Sequence, residues 1–395
     1  MRFVAYYASR DLVPLYAVYA LLFADHGLSG AQVSSLFIIW SLTSFLFEVP
    51  TGAWADTIDR RLLLVISAGI YAAAFSEWML VPTYLGFATG FVLWGLSSAM
   101  MSGTFEALLY DELAARGSQA QYARGVGWSN SAAMAANLVA SVAAAPLYAV
   151  GGYALVGWTS VAIAGVQAVL AATLPVTTHR HGAPVEAVAW ATETMAARYV
   201  AMLRTGLREA SRAVDVRRAV AISAVLVGLT AYDEYFPFVA REDGVATAIV
   251  PWLVGLAVFG QAIGTALAGR TAGMSPATMA RVVVTGGCLI SLGALVSPVV
   301  GFGAIALGYG LLNNAMIVSE ARLQQVITGP ARATVTSVAG LATELVALAV
   351  YLVFTVAAGL ASVSTLVALL GVPIIGVAIA VRRWLPRSVP TGVSR

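Results

Sequence analysis

Lysine is absent from this chain, and all 22 basic residues are arginine. A Gly-x-x-x-x-Gly-Lys-Ser/Thr phosphate loop is therefore impossible, which excludes ATP-driven work by this chain alone. Charge of either sign is scarce, at 10% of 395 residues, where soluble domains carry about 25%. The single cysteine, Cys288, lies in an apolar stretch and reads as a small core residue, not a redox or metal group. The three histidines, His26, His179 and His181, fall in predicted loops, and no His/Cys cluster has metal-ligand spacing. Nothing resembles a Ser-His-Asp arrangement. The expectation is a chain that is not an enzyme, needs no cofactor or metal, and does not bind nucleic acid. The N-terminus, Met1-Arg2-Phe3, lacks a charged region followed by a small-residue cleavage site, so no cleaved signal peptide is expected.

What the chain has is apolar length. Hydrophobic residues make up 60% of it, and the mean hydropathy is +0.85. Its apolar stretches recur at about 20 residues, the length that crosses a bilayer. The predicted fold is an all-α integral membrane protein with twelve transmembrane helices, at 4–24, 32–55, 62–81, 84–113, 122–147, 152–174, 216–239, 247–268, 277–297, 301–326, 332–358 and 362–384. All arginines except Arg10 and Arg241 lie at the termini or in the even-numbered connections. By the positive-inside rule both termini are then cytoplasmic, in a multi-pass protein of the cell inner (plasma) membrane.

The long break at 175–215 separates an N-terminal bundle of six helices, 1–174, from a C-terminal one, 216–395. Within the break, Val188, Ala191, Met195, Tyr199, Met202, Leu203, Ala210 and Val214 recur at helical spacing, and Arg204, Arg208 and Arg212 form a separate row. That pattern suits either an amphipathic helix on the anionic cytoplasmic leaflet or a solvated linker helix. The halves repeat each other. Asp25-His-Gly27 with Val33 aligns with Glu242-Asp-Gly244 with Val250, each followed by a glycine at a helix end, Gly52 and Gly269. Ala123-Arg124 and Ala331-Arg332 open the fifth and eleventh helices in the same way.

Residues 48–61 carry the sharpest pattern: Glu48-Val-Pro-Thr-Gly52-Ala-Trp-Ala-Asp56-Thr-Ile-Asp59-Arg60-Arg61. The order resembles the loop signature Gly-x-x-x-Asp-Arg/Lys-x-Gly-Arg/Lys-Arg/Lys between the second and third helices of the major facilitator superfamily (MFS). Thr57 replaces the first basic residue and Asp59 the second glycine. The resemblance implies a transporter of two pseudo-symmetric six-helix bundles working by alternating access, with a substrate site near the midplane between the halves. It also implies a cytoplasmic gate formed by Gly52, Asp56, Arg60 and Arg61, with Glu106 and Asp111 of the fourth helix at the same level and Asp111 as a partner for Arg60 or Arg61. The fifth helix ends Pro146-Leu-Tyr-Ala-Val-Gly151-Gly152, which is similar to the glycine- and proline-rich signature of the drug:proton antiporter subgroup and points to efflux.

An ionisable side chain inside the hydrocarbon is a functional candidate by default. Glu48 lies eight residues before Asp56, about 12 Å along the axis, and Glu48, Gly52 and Asp56 share one helix face. Gly52 there would admit a close neighbour. Shielded from water, Glu48 is either a proton-coupling group or a static hydrogen-bonded glutamate beside Pro50. Asp11, Glu344, Asp233 and Glu234 are the other coupling candidates, and Asp233-Glu234-Tyr-Phe-Pro237 repeats the Asp/Glu-x-x-Pro spacing of Asp11-Leu-Val-Pro14. Neighbouring positions of a helix point about 100° apart, so Arg10 and Asp11 each need another partner. Arg10, Tyr16, Trp40 and Tyr232 are the candidates for a substrate cavity. Together these readings predict proton-coupled export of a small amphipathic or hydrophobic molecule by a monomer in the bilayer. The alternatives are an uptake symporter or facilitator, and a membrane sensor or assembly protein that does not transport.

Overall fold

The structure, a computed structural model, describes residues 1–175, 213–242, 244–327 and 332–386, without the side chains of Val49, Asp56 and residues 332–334. The stretch expected to form the amphipathic linker helix lies outside the described residues, save for its last few. Among the described residues nine helices are long and apolar enough to cross a membrane. One of these, Gln119–Ala172, contains two spans that meet at a corner, because Gly151 (φ −139) and Gly152 (φ +57) leave the helical region. Spans one and seven fall outside the nine because each is broken, and counting them gives the twelve expected spans.

The breaks correct the sequence expectation of continuous helices at 4–24 and 216–239. Span one comprises Arg2–Asp11 and Tyr19–Asp25, joined by a 3-10 turn at Pro14–Ala17. Pro14 has no N–H and disfavours helical backbone in the residue before it, and Val13 is extended (φ −112, ψ 101). Span six covers the exposed backbone: the Leu15 N–H donates to Ser160 Oγ at 3.0 Å. This is how a membrane helix tolerates a break. Span seven runs as Val214–Gly228, a 3-10 stretch Leu229–Tyr235, and Phe236–Glu242 with Pro237 in its first turn. Both breaks carry the Asp/Glu-x-x-Pro spacing. Span four, expected unbroken over 84–113, also divides, into Tyr84–Met101 and Thr104–Ala115 around Gly103 at φ +71.

The chain forms two compact units, Met1–Tyr199 and Val200–Arg395. In the first, span two (Gly30–Thr57) and span three (Arg60–Leu80) both pack on span four, and the inner helix of span one packs on the five–six pair. In the second, span eight (Val250–Thr271) and span nine (Pro276–Ala294) both pack on span ten (Pro298–Val326), while span eleven (Arg332–Ala357) lies against span seven and span twelve (Val363–Leu369 with Gly371–Trp384) against span nine. Spans eight and ten meet at glycines: a Cβ on Gly264 would lie 1.9 Å from the Gly310 carbonyl oxygen. Small residues at such crossings let backbones touch, which matters in lipid, where no hydrophobic effect drives helices together.

The repeat seen in the sequence has a physical counterpart. Gly27 (φ +89) and Gly244 (φ +79) make the same left-handed turn after spans one and seven. Beside them, Asp25 Oδ2 accepts from the Tyr153 hydroxyl of span six at 2.6 Å. Glu242 accepts from the Val363 and Ser364 N–H groups at 2.6 and 2.9 Å, capping span twelve. Each carboxylate latches the first span of its half to the last.

Candidate functional site

The inner end of the first break carries Arg10 and Asp11, both half-buried. The Arg10 guanidinium donates to Ser98 Oγ at 2.7 Å and to Ser97 Oγ at 3.4 Å, both on span four. It also lies over the Tyr71 ring of span three, 4.6 Å from the centroid. The Tyr71 hydroxyl donates to the Arg10 carbonyl at 3.0 Å and hydrogen-bonds to the Tyr16 hydroxyl. Spans three and four are pinned beneath by Ser67 and Ser97, each donating its hydroxyl to the other's carbonyl at 2.9 Å. Arg10 thus finds the partners that Asp11 could not supply.

Tyr16 stacks on Trp94 at 5.2 Å between centroids, and Trp40 leans on the same Trp94 at 5.5 Å. Three of the predicted cavity residues, Arg10, Tyr16 and Trp40, therefore belong to one aromatic assembly, through Tyr71 and Trp94. The indole N–H of Trp40 is buried without a partner among the described residues. Buried donors of this kind are rare and call for an explanation.

In the second unit the Tyr309 hydroxyl of span ten donates to Asp233 Oδ2 at 2.5 Å. Tyr309 accepts in turn at its carbonyl from the Asn313 amide at 2.9 Å, and Asn313 Oδ1 accepts from Gln261 of span eight at 3.3 Å. Tyr232 packs its ring 6.3 Å from Tyr309; its hydroxyl, like the Trp40 indole, is buried without a partner among the described residues. Glu234 and Glu344 are both half-buried, and with Asp233 they act electrostatically on the buried Tyr351 of span eleven. Spans one and four hold a cation, and the corresponding spans seven and ten hold an anion.

Residue types explain what sequence reasoning missed. Tyr71, Ser97, Ser98, Tyr309, Asn313 and Gln261 are uncharged, so a search for buried charge passes over them. The adjacent pairs Ser97-Ser98 and Asn313-Asn314 inside apolar spans were the readable signal.

At the arginine-rich ends the Arg60 guanidinium pairs with Asp111 and its Nε donates to the Ala55 carbonyl at 3.2 Å. The expected pairing to Asp111 thus falls to Arg60; Arg61 is half-buried. Asp59 caps span three by accepting from the Leu62 N–H at 2.8 Å, which accounts for its place in a position the loop signature gives to glycine. Glu106 does not join that pair, and its Oε2 is buried without a partner among the described residues. Glu112 instead pairs with Arg116 one turn away. The Asp56 side chain lies outside the described residues.

Two expectations at span two are corrected. Glu48 is exposed in its unit rather than shielded within it. Gly52 has open space where a Cβ would stand, so no helix of its own unit approaches there. The packed face is the next one round the helix: Thr51 Oγ1 donates to the Ala99 carbonyl at 2.9 Å, and the close approach falls at Gly95, whose Cβ would stand 2.8 Å from Thr43. Gly151 and Gly152 form the corner between spans five and six. Among the described residues no group of three His, Cys, Asp or Glu could hold a metal.

Broken, charged spans in two repeated six-helix units are the build of a secondary transporter. The chain matches the sequence profile of the Major Facilitator Superfamily over residues 3–345. It belongs to that superfamily, and so is a multi-pass membrane transporter of small molecules and not an enzyme. Solved structures share the fold at low identity. A D-xylose-proton symporter has a TM-score of 0.68 at 17% identity, with 98% of this chain and 96% of that one covered. The nucleoside transporter NupG has a TM-score of 0.70 at 12% identity, covering 96% and 97%. A bacterial homologue of the human lysosomal transporter Spinster, inward-facing and unoccupied, has a TM-score of 0.67 at 14% identity, covering 98% and 97%. No curated protein matches the chain significantly.

Proposed function

We propose that the protein exports a small amphipathic or hydrophobic molecule in exchange for protons, as an alternating-access antiporter, with Asp233 and Asp11 as the proton-carrying groups. The observation that carries the reading is the pair of broken spans, each presenting ionisable side chains inside its own bundle. A carboxylate in that setting is expensive to keep charged, so gaining or losing a proton there changes the relative cost of two conformations. Asp233 has a hydroxyl donor in Tyr309.

The substrate class follows from the first unit. Stacked rings around one guanidinium, with the Trp40 indole still to be satisfied, suit a molecule with a flat apolar body and one or two polar groups. Such a molecule enters across lipid unaided, so a driven carrier is needed to move it outward. The arginine-rich ends are cytoplasmic in this reading, and the Arg60–Asp111 pair, with Gly52, Asp56, Arg61 and Glu106 around it, forms the inner gate. The protein works as a monomer in the plasma membrane. Import by symport is the second reading, favoured by a fold neighbour titled a proton symporter.

Proteoliposomes with an internal pH-sensitive dye, an imposed pH gradient of either sign and a panel of amphipathic compounds separate these readings. Antiport predicts that substrate and protons move in opposite directions. Movement in the same direction establishes symport, and transport indifferent to the gradient defeats proton coupling altogether.

A further inference from the structure

Spans nine and twelve leave an open groove of about 510 Å³ between them, within the second unit. Its lining divides by chemistry along its length. At one end stand Arg281, from the second turn of span nine, and Arg382, from the last turn of span twelve. The rest includes Val284, Thr285, Ile375 and Ile379. Arg281 is steadied by a hydrogen bond to Thr278 Oγ1 at 3.2 Å, and Ser275 and Thr278 in turn order the start of span nine. No carboxylate among the described residues pairs with either arginine. Two cations lining one groove repel each other unless an anion lies between them. Span nine also begins at this end, and its N-terminal dipole adds positive potential there.

We propose that this groove holds an anionic phospholipid, its phosphate between Arg281 and Arg382 and one acyl chain along Val284, Ile375 and Ile379. The seven residues from Arg382 back to Ile375 span about 10 Å of helix, so the apolar wall runs into the hydrocarbon from a headgroup-level pair of guanidiniums. Both arginines belong to the set that the positive-inside rule assigns to the cytoplasmic side, where anionic lipids attract basic residues. Both arginines are exposed within the unit, so the lipid needs no opening of the bundle to enter. Nothing in the site depends on the substrate or on the direction of transport.

The full-length protein, purified in a neutral detergent, is exposed to phosphatidylglycerol or phosphatidylcholine, and retained lipid is counted by native mass spectrometry. The wild type is expected to retain phosphatidylglycerol in preference. At about 1 kcal/mol for each basic residue, Arg281→Gln with Arg382→Gln weakens retention roughly 30-fold. Arg383→Gln, in the same turn but outside the groove, changes it by less than about threefold. Ile379→Trp, which leaves both arginines and fills the apolar wall, also weakens retention. Equal retention of the two lipids overturns the proposal, as does an Arg383→Gln effect equal to that of Arg382→Gln.

Discussion

Arg10 is held by two serine hydroxyls and the face of one tyrosine. A guanidinium does this because it is planar and weakly hydrated; an ammonium does neither well. Arg10→Lys should therefore raise the KM for transport about tenfold, corresponding to about 1–2 kcal/mol of lost stacking and hydrogen bonding, with surface expression unchanged. Asp233 is the opposite case, an anion met by Tyr309. Tyr309→Phe removes the donor but not the carboxyl, and should leave gradient-driven transport weakened, whereas Asp233→Asn abolishes it. Glu48→Gln should retain it, since Glu48 lies on the exposed face of its unit. A Glu48→Gln transporter that ignores the gradient would return the coupling role to span two. At this scale the charged candidates were readable, because a charge in an apolar run is conspicuous. Their neutral partners were not, since hydroxyls and amides are common in membrane helices. The misreading of Glu48 and Gly52 has a similar cause: spacing shows which residues share a face, not which face is packed, and here Thr51 and Ala55 turn inward instead.

Elements are tied together by different chemistry in the two halves. The turn after span two is held to span four by the Arg60–Asp111 ion pair. The turn after span eight is held to span ten by Arg322, which is buried and donates to the carbonyls of Ala272, Met274 and Pro386. An ion pair can open and re-form, and this one is only half-buried, so water can take over its partners when it parts. An arginine bound to three backbone carbonyls is a fixed strut. Arg60→Ala should therefore alter transport rate while shifting the melting temperature little, and Arg60→Asp with Asp111→Arg should restore much of the rate. Arg322→Gln should lower the melting temperature clearly. The opposite pattern would exchange the two roles. The latches at Asp25 and Glu242 are testable by hydrogen exchange: Glu242→Ala removes the cap from span twelve and should speed exchange at the Val363 and Ser364 amides. Span positions were legible from hydropathy, and the Asp25/Glu242 repeat was legible too, but not the hydrogen bonds that make each carboxylate a latch. The breaks in spans one and seven were signalled by Asp/Glu-x-x-Pro, yet apolar length alone reads straight through them.

For the whole molecule, two repeated units carry ionisable side chains at corresponding breaks, Arg10 and Asp11 in the first and Asp233 and Glu234 in the second. Membership of the Major Facilitator Superfamily accounts for the repeat. In our account the ring-lined first half engages substrate, and the proton is carried by Asp233 of the second half and Asp11 of the first. Each should then be separable by mutation. The most direct test compares wild type with Asp233→Asn in proteoliposomes, measuring both pH-gradient-driven substrate flux and substrate exchange at equal pH. The account predicts that Asp233→Asn loses the driven flux and keeps the exchange. Driven flux that survives in Asp233→Asn would contradict it.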